Sequence, residues 1–285
     1  MEIGIIGIGL MGSAFVQRFV DCGYHVSVYN RSQDALAGLA DAGVKVCDSV
    51  QQLLAQSSTV ILMLSDADAI HQLLPLAQPT SLQGKTILQM ATIAPAQSRQ
   101  LSQAVAQCGG HYLEAPVLGS IPEVSTGNLI IMAAGAHDLF EKALPVLQVL
   151  GSAPRYIGDI GSAAALKLSM NQLIASLTAG FSLSLGYALK NGVDIGLFMD
   201  TVRESALYAN TYDKKLDKYL SRDFGAANFS TRHLLKDVNL FIDDANKKGL
   251  NTLALQGIEQ ITRQAVEQGS GLMDYSSIYQ VIDPE

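Results

Sequence analysis

The sequence predicts an α/β protein in two parts: a doubly wound parallel sheet over residues 1–160, then an all-helical domain over 161–285 that opens with a long interdomain helix. Three observations predict it. Short apolar runs alternate with helical stretches through the first part, the pattern of parallel strands covered by helices on both faces. After Gly161 the strand-like runs stop and helical spacing takes over. No Ser/Pro-rich or charged spacer lies at the join, and the 285 residues suit about two domains of roughly 150 residues each.

The elements follow in order. Ile3–Ile8 is apolar and bounded by glycines, as a buried strand is. Met11–Cys22 has helical spacing and stops at Gly23. His25–Tyr29 reads as the second strand and Ser32–Ala42 as a helix ending near Gly43. Val44–Cys47 is a short strand, and Ser49 is placed to cap the helix after it. Val60–Ser65 is apolar on both faces, as a central parallel strand should be. Thr86–Met90, Tyr112–Ala115, Leu129–Ala133 and Arg155–Ile157 continue the strands, with helices at Pro95–Cys108 and Asp138–Leu150 among those between them. Beyond the join, helices are expected near 162–190, 194–205, 209–220, 231–248, 252–268 and 274–281.

Composition excludes several classes. With 48% hydrophobic and 16% charged residues the chain is globular and not disordered. A net charge of −7 and no Lys/Arg run argue against nucleic acid as a partner, since phosphate binding needs a basic face. Cys22, Cys47 and Cys108 form no CxxC pair, which fits a reducing, cytoplasmic compartment without disulfides. The chain enters MEIGIIGIG with no basic start or cleavage site, so no signal peptide is expected. The apolar run Ala163–Leu189 carries Lys167, Asn171 and Gln172, groups costly in lipid, so it is expected to be a buried helix and not a membrane span. The five histidines are scattered without metal-ligand spacing, and no metal is expected.

GIGLMG, from Gly7 through Gly9, Leu10 and Met11 to Gly12, matches GxGxxG. It follows the first strand and opens a helix, the context in which the motif binds a dinucleotide. Gly7 permits the turn, Gly9 lets the backbone approach a pyrophosphate, and Gly12 lets helix and sheet pack closely. Unpaired N–H groups at the helix start then meet the phosphates. An NAD site expects a carboxylate at the end of the second strand to bond the ribose 2′-hydroxyl. This chain has Asn30, Arg31 and Ser32 there. No acid repels a 2′-phosphate and Arg31 offers a planar fork to bind one, so NADP(H) is the expected cofactor.

At this point the chain resembles the β-hydroxyacid dehydrogenases, the family of 3-hydroxyisobutyrate dehydrogenase and the glyoxylate/succinic semialdehyde reductases. The resemblance spans essentially the whole chain. It rests on GIGLMG at 7–12, YNRS at 29–32, MLSD at 63–66, ATIAP at 91–95, EAPVLGS at 114–120, a G-x5-K-x3-N run at 161–171 and LLKDVNL at 234–240. YNRS, MLSD and GNLIIMAAG look closest to the reductase branch. The resemblance implies that Met63, Leu64, Ser65 and Lys236 contact the cofactor and that Thr92 lies near both nicotinamide and substrate. It further implies a carboxylate-binding loop through Leu118, Gly119 and Ser120, a pocket lined by Phe229 and Asp237, and Lys167 as acid/base with Asn171 beside it. Two positions depart from the family: Leu118 and Ala91 stand where serine is usual. With Leu118 a hydroxyl donor is lost, leaving backbone N–H groups near Gly119 and the Ser120 hydroxyl to serve a carboxylate.

The residues admit that chemistry. Reducing an aldehyde requires a proton for the nascent alkoxide and a group to hold its oxygen. Lys167 and Asn171 are four apart on one helix and share a face. Without the glycine loop, Lys167 reads as a snorkelling lysine rather than a catalytic one, and the loop with the downstream motifs reverses that order; Lys236 with Asp237 reads equally as a solvated pair. The expected activity is NADPH-dependent reduction of a small aldehyde or keto acid. The alternatives are oxidation of 3-hydroxyisobutyrate or a related 3-hydroxy acid, an imine reductase, and a non-catalytic binding protein on the same scaffold. The resemblance associates the last two with loss of the lysine that this chain keeps. The greasy second domain is expected to support a homodimer or higher homo-oligomer.

Overall fold

The computed structural model describes residues 2–40 and 43–284. The first part runs β1 (Glu2–Ile6), α1 (Leu10–Asp21), β2 (His25–Tyr29), β3 (Lys45–Val46), α2 (Val50–Gln56), β4 (Thr59–Leu62), α3 (Ala67–Leu73), β5 (Thr86–Gln89), α4 (Pro95–Gln107) and β6 (His111–Glu114). It continues with β7 (Val117–Leu118), α5 (Ile121–Ser125), β8 (Ile130–Ala134), α6 (His137–Leu150) and β9 (Arg155–Gly158). Then come α7 (Ser162–Lys190), α8 (Ile195–Glu204), α9 (Asn210–Ser221), α10 (Thr231–Lys247), α11 (Leu253–Glu267) and α12 (Tyr279–Ile282). Two compact units divide within α7, Met1–Lys167 and Leu168–Glu285, so the first turns of that helix belong with the sheet.

The strands order as β3-β2-β1-β4-β5-β6-β8-β7, with β9 beside β8. Alternate residues feed two cores. Ile3, Ile5, Ile61, Leu88 and Leu113 pack with Phe15 and Phe19 of α1 and Phe140 and Leu147 of α6. Ile6, Val60, Leu62, Ile87 and Tyr112 pack with Leu53 of α2, Ile70 of α3 and Leu101 and Val105 of α4. Both faces are therefore apolar, which is why these strands read as continuous apolar runs rather than alternating ones. Ser49 caps α2 as expected, accepting the Gln52 N–H at 3.2 Å.

The expected parallel-dominated sheet is present with one antiparallel departure, and two of the expected helices need correction. The sheet is not wholly parallel: β1 to β6 are, but β8 runs antiparallel to β6 and β7. Between β6 and β8 lie only β7 and the one-turn α5, too little helix to cover a sheet face and return the chain for parallel entry. The helix expected over 32–42 is a 3-10 turn at Gln33–Leu36, and 41–42 fall outside the described residues. Its only buried side chain is Leu36, so there is little apolar face to pay for a longer helix. The helix expected over 274–281 is a 3-10 turn at Tyr275–Ile278 leading into α12. There the Asp274 carboxylate accepts the Ser276 N–H at 3.1 Å and tightens the start.

In the second unit α10 and α11 pack on α7 through Ala175, Leu234, Val238 and Leu255. Phe181 and Leu185 of α7 pack with Met199, Tyr219 and Tyr279. Thus α7, although long and apolar enough by composition to cross a bilayer, buries much of one side against its own unit. Asp274, fully buried, accepts the Lys215 ammonium at 2.6 Å and ties α9 to the C-terminal turns.

Candidate active site

The glycine loop joins β1 to α1 at the carboxyl edge of the parallel strands. Gly7 has φ +100°, and a Cβ there would lie 2.4 Å from the Met63 carbonyl oxygen. A Cβ on Gly12 would lie 2.0 Å from the Gly7 carbonyl oxygen. Neither position tolerates a side chain. Around Gly9, by contrast, a Cβ would meet no heavy atom of the described residues within 4 Å, so the loop's outer side is open among them. Gly9 is the N-cap of the twelve-residue α1, and no side chain caps it. The first N–H groups of α1 therefore face that space, which suits a pyrophosphate. The residues present fit a dinucleotide.

Neighbouring strand ends complete this edge. The Gly7 N–H donates to the Tyr29 carbonyl at 3.1 Å and the Met63 N–H to the Ile6 carbonyl at 2.8 Å. That brings the loops after β1, β2 and β4 together at the point where strand order reverses, the usual ligand crevice of such sheets. Asn30 is a brace: its Oδ1 accepts the Ile8 N–H and its Nδ2 donates to the Ser32 carbonyl, both at 3.0 Å. Arg31 and Ser32 are exposed, as are Leu10 and Ser65. Met11, Met63 and Leu64 are half-buried and pack on the sheet's cores. Half-buried Thr92 follows β5, in a turn pinned by Gln89, whose Nε2 donates to the Ala91 carbonyl at 3.0 Å.

The 117–120 loop makes internal contacts. Leu118 packs against the cluster of Met132, Ala134 and Ala163. Gly119 has φ +131°, and a Cβ there would meet Leu129 at 2.7 Å. The Ser120 N–H and hydroxyl both donate to Glu123 Oε2 at 2.8 Å. The two Ser120 donors expected to serve a carboxylate are thus already engaged by one from α5, a local capping arrangement.

Lys167 is half-buried on α7, and Asn171 follows one turn later on the same face. Asn171 is 2% exposed and donates from Nδ2 to Asp237 Oδ2 at 2.6 Å. Because the carboxylate only accepts, this bond fixes which way the amide faces. Asn171 Oδ1 is buried and lacks a hydrogen-bond partner among the described residues. The Lys236 ammonium lies 3.1 Å from Asp237 Oδ1 without hydrogen-bonding alignment. So the second unit brings together Asn171, Lys236 and Asp237, with Asp237 buried and paired, not on a solvated face. Phe229 packs on the same unit's core and stacks on His233, ring centroids 6.4 Å apart. Burial and the Lys236 charge hold His233 below the usual imidazole range, partly offset by Asp237.

Sequence reasoning missed Gln89, Glu114 and Glu123. Glu114 ends β6, is 1% exposed, and accepts the N–H groups of Gly161, Ala163 and Ala164 at the start of α7. An acid inside an otherwise apolar strand was the available signal.

The family described as the NAD binding domain of 6-phosphogluconate dehydrogenase matches residues 2–158. That described as the NAD-binding of NADP-dependent 3-hydroxyisobutyrate dehydrogenase matches 161–282. Glyoxylate/succinic semialdehyde reductase 1 of Arabidopsis thaliana is 28% identical, over 99% of this chain and 98% of its own. Human mitochondrial 3-hydroxyisobutyrate dehydrogenase is 26% identical, over 99% and 87%. The crystal structure of 3-hydroxyisobutyrate dehydrogenase from Salmonella typhimurium superposes with a TM-score of 0.86 at 20% identity, covering 99% of both chains.

Proposed function

The chain belongs to the β-hydroxyacid dehydrogenase family, NAD(P)-dependent oxidoreductases acting on the CH–OH group of hydroxyacids, and from that premise we propose that it uses NADPH to reduce a small aldehyde or keto acid of the glyoxylate or succinic semialdehyde type. The observation that carries the reading is the Lys167–Asn171 pair on one face of α7, with Asn171 locked by Asp237 and its Oδ1 left to accept.

Gly7, Gly9 and Gly12 with the α1 N-terminus would hold the pyrophosphate, and Arg31 the 2′-phosphate. When bound, the nicotinamide supplies the hydride that turns a carbonyl carbon into an alcohol carbon. Lys167 donates the proton that the carbonyl oxygen takes up as it becomes a hydroxyl. Asn171 Oδ1 accepts from either the lysine ammonium or the new hydroxyl, keeping donor and oxygen in line. In the oxidative direction Lys167, neutral, takes the hydroxyl proton instead. That direction, on 3-hydroxyisobutyrate or a related acid, is the second reading. It is supported by the likeness of residues 161–282 to the NADP-dependent 3-hydroxyisobutyrate dehydrogenases.

The test is a substrate panel, small aldehydes with NADPH or NADH and 3-hydroxy acids with NADP or NAD, run on the parent and on Lys167→Ala. Lys167→Ala should lower kcat by roughly 100- to 10,000-fold with cofactor affinity kept. Turnover within a few-fold of the parent would remove Lys167 from the chemistry. Faster oxidation of a 3-hydroxy acid with NAD than reduction of any aldehyde would favour the second reading.

A further inference from the structure

Lys167 can donate a proton in line only if its helix starts in one register, and two features set that start. Gly161 has φ +99°, and a Cβ there would lie 2.0 Å from Arg99 Nη1. The chain enters α7 through a position that only glycine fits. Glu114 then takes the first turn. Its Oε1 accepts the Gly161 N–H at 2.6 Å, and its Oε2 accepts those of Ala163 and Ala164 at 3.1 and 3.2 Å. These are donors that no carbonyl within the helix reaches. A carboxylate at this end also opposes the positive pole of the helix dipole.

The cap comes from a distant strand, which changes what it does. A local Ser or Asp would satisfy the same N–H groups but leave the helix free to tilt against the sheet. Glu114 instead bolts α7 to the carboxyl end of β6. It stands in register with Gln89 of β5, whose side chain pins the turn before Thr92. Adjacent strand ends thus brace Thr92 and the helix carrying Lys167. Lys167 lies less than two turns from the cap and within the same compact unit.

We propose that Glu114 is a positioning residue for the reaction: by capping α7 from the sheet it holds the register that aims Lys167. The proposal rests on the reading of Lys167 as the general acid/base. Glutamine has the same shape but one acceptor oxygen, and its amide group would face N–H donors.

The experiment compares Glu114→Gln, Glu114→Ala and Lys167→Ala for NADPH affinity and stoichiometry, thermal midpoint, kcat and KM, with kcat normalised to NADPH-binding sites. Glu114→Gln should keep NADPH affinity within about twofold and lose roughly 10- to 100-fold in kcat per site, the cost of a slightly misaimed group. Glu114→Ala should lose more. A Glu114→Gln kcat within about twofold of the parent, beside an inactive Lys167→Ala, would leave Glu114 as a structural cap only and overturn the proposal. Loss of NADPH binding together with activity would make the defect global and also overturn it. An active Lys167→Ala would instead bring down the acid/base reading, and the positioning role with it.

Discussion

The proposed preference for NADPH rests on a single side chain, Arg31. It is exposed just beyond β2, where no carboxylate stands and where the Asn30 side chain is engaged in bracing the glycine loop. A guanidinium there can pair a 2′-phosphate through two N–H groups and gains little from a 2′-hydroxyl. Arg31→Leu is expected to weaken NADPH by roughly 10- to 100-fold and NADH far less, read by fluorescence titration. Equal losses for both cofactors would take Arg31 out of the choice. Where the glycine loop, Arg31, Lys167 and Asn171 sit was legible in the sequence because each placement is a local pattern: a motif after a strand, a strand end, a spacing of four on one helix. Glu114 was not. Its partners lie 47 to 50 residues away, and nothing local says where a buried acid will find its donors.

At the scale of elements, α5 sets the character of the loop before it. Glu123 draws in both Ser120 donors, and β7 presents Leu118 to an apolar cluster. An anionic substrate group reaching this loop would meet an engaged N–H, an engaged hydroxyl and a like charge. Glu123→Ala frees the donors and removes the charge. It should lower KM for glyoxylate several-fold more than for an uncharged aldehyde, while the lost cap costs stability by about 1 kcal/mol. An unchanged KM for glyoxylate would show that the loop does not receive the carboxylate. Elements with a strong period were legible: α7 spans Ser162–Lys190, the same limits its apolar pattern indicates. The direction of β8 was not, because it depends on which strand it pairs with, and an apolar run looks the same in either direction. The 3-10 turn at Gln33–Leu36 was read as a longer helix because its spacing is helical while its burial is not.

For the whole molecule, the second unit has apolar surface to hide. On α7 and α8 Leu183 is 63% exposed, Tyr187 72% and Leu197 67%, and in the turn between them Val193 is 44% exposed. An apolar cavity of about 570 Å³ lies among Leu183, Tyr187, Ala188, Val193 and Phe198. Single exposed leucines are ordinary, but a contiguous greasy patch on a chain of net charge −7 is not, and self-association is the general remedy. A two-fold pairing would lay the same patch of each copy on the other, so a change there counts twice per interface. The parent protein is therefore expected to sediment as a homodimer or larger even-numbered assembly at micromolar concentration. The double variant Leu183→Glu, Tyr187→Glu should shift it to a single chain while NADPH affinity stays at the parent value, because the glycine loop lies in the other compact unit. A parent mass of one chain at every concentration would defeat the expectation. So would a double variant that keeps the parent mass, since two glutamates on each side of a pairing built from this patch would bury like charges against each other.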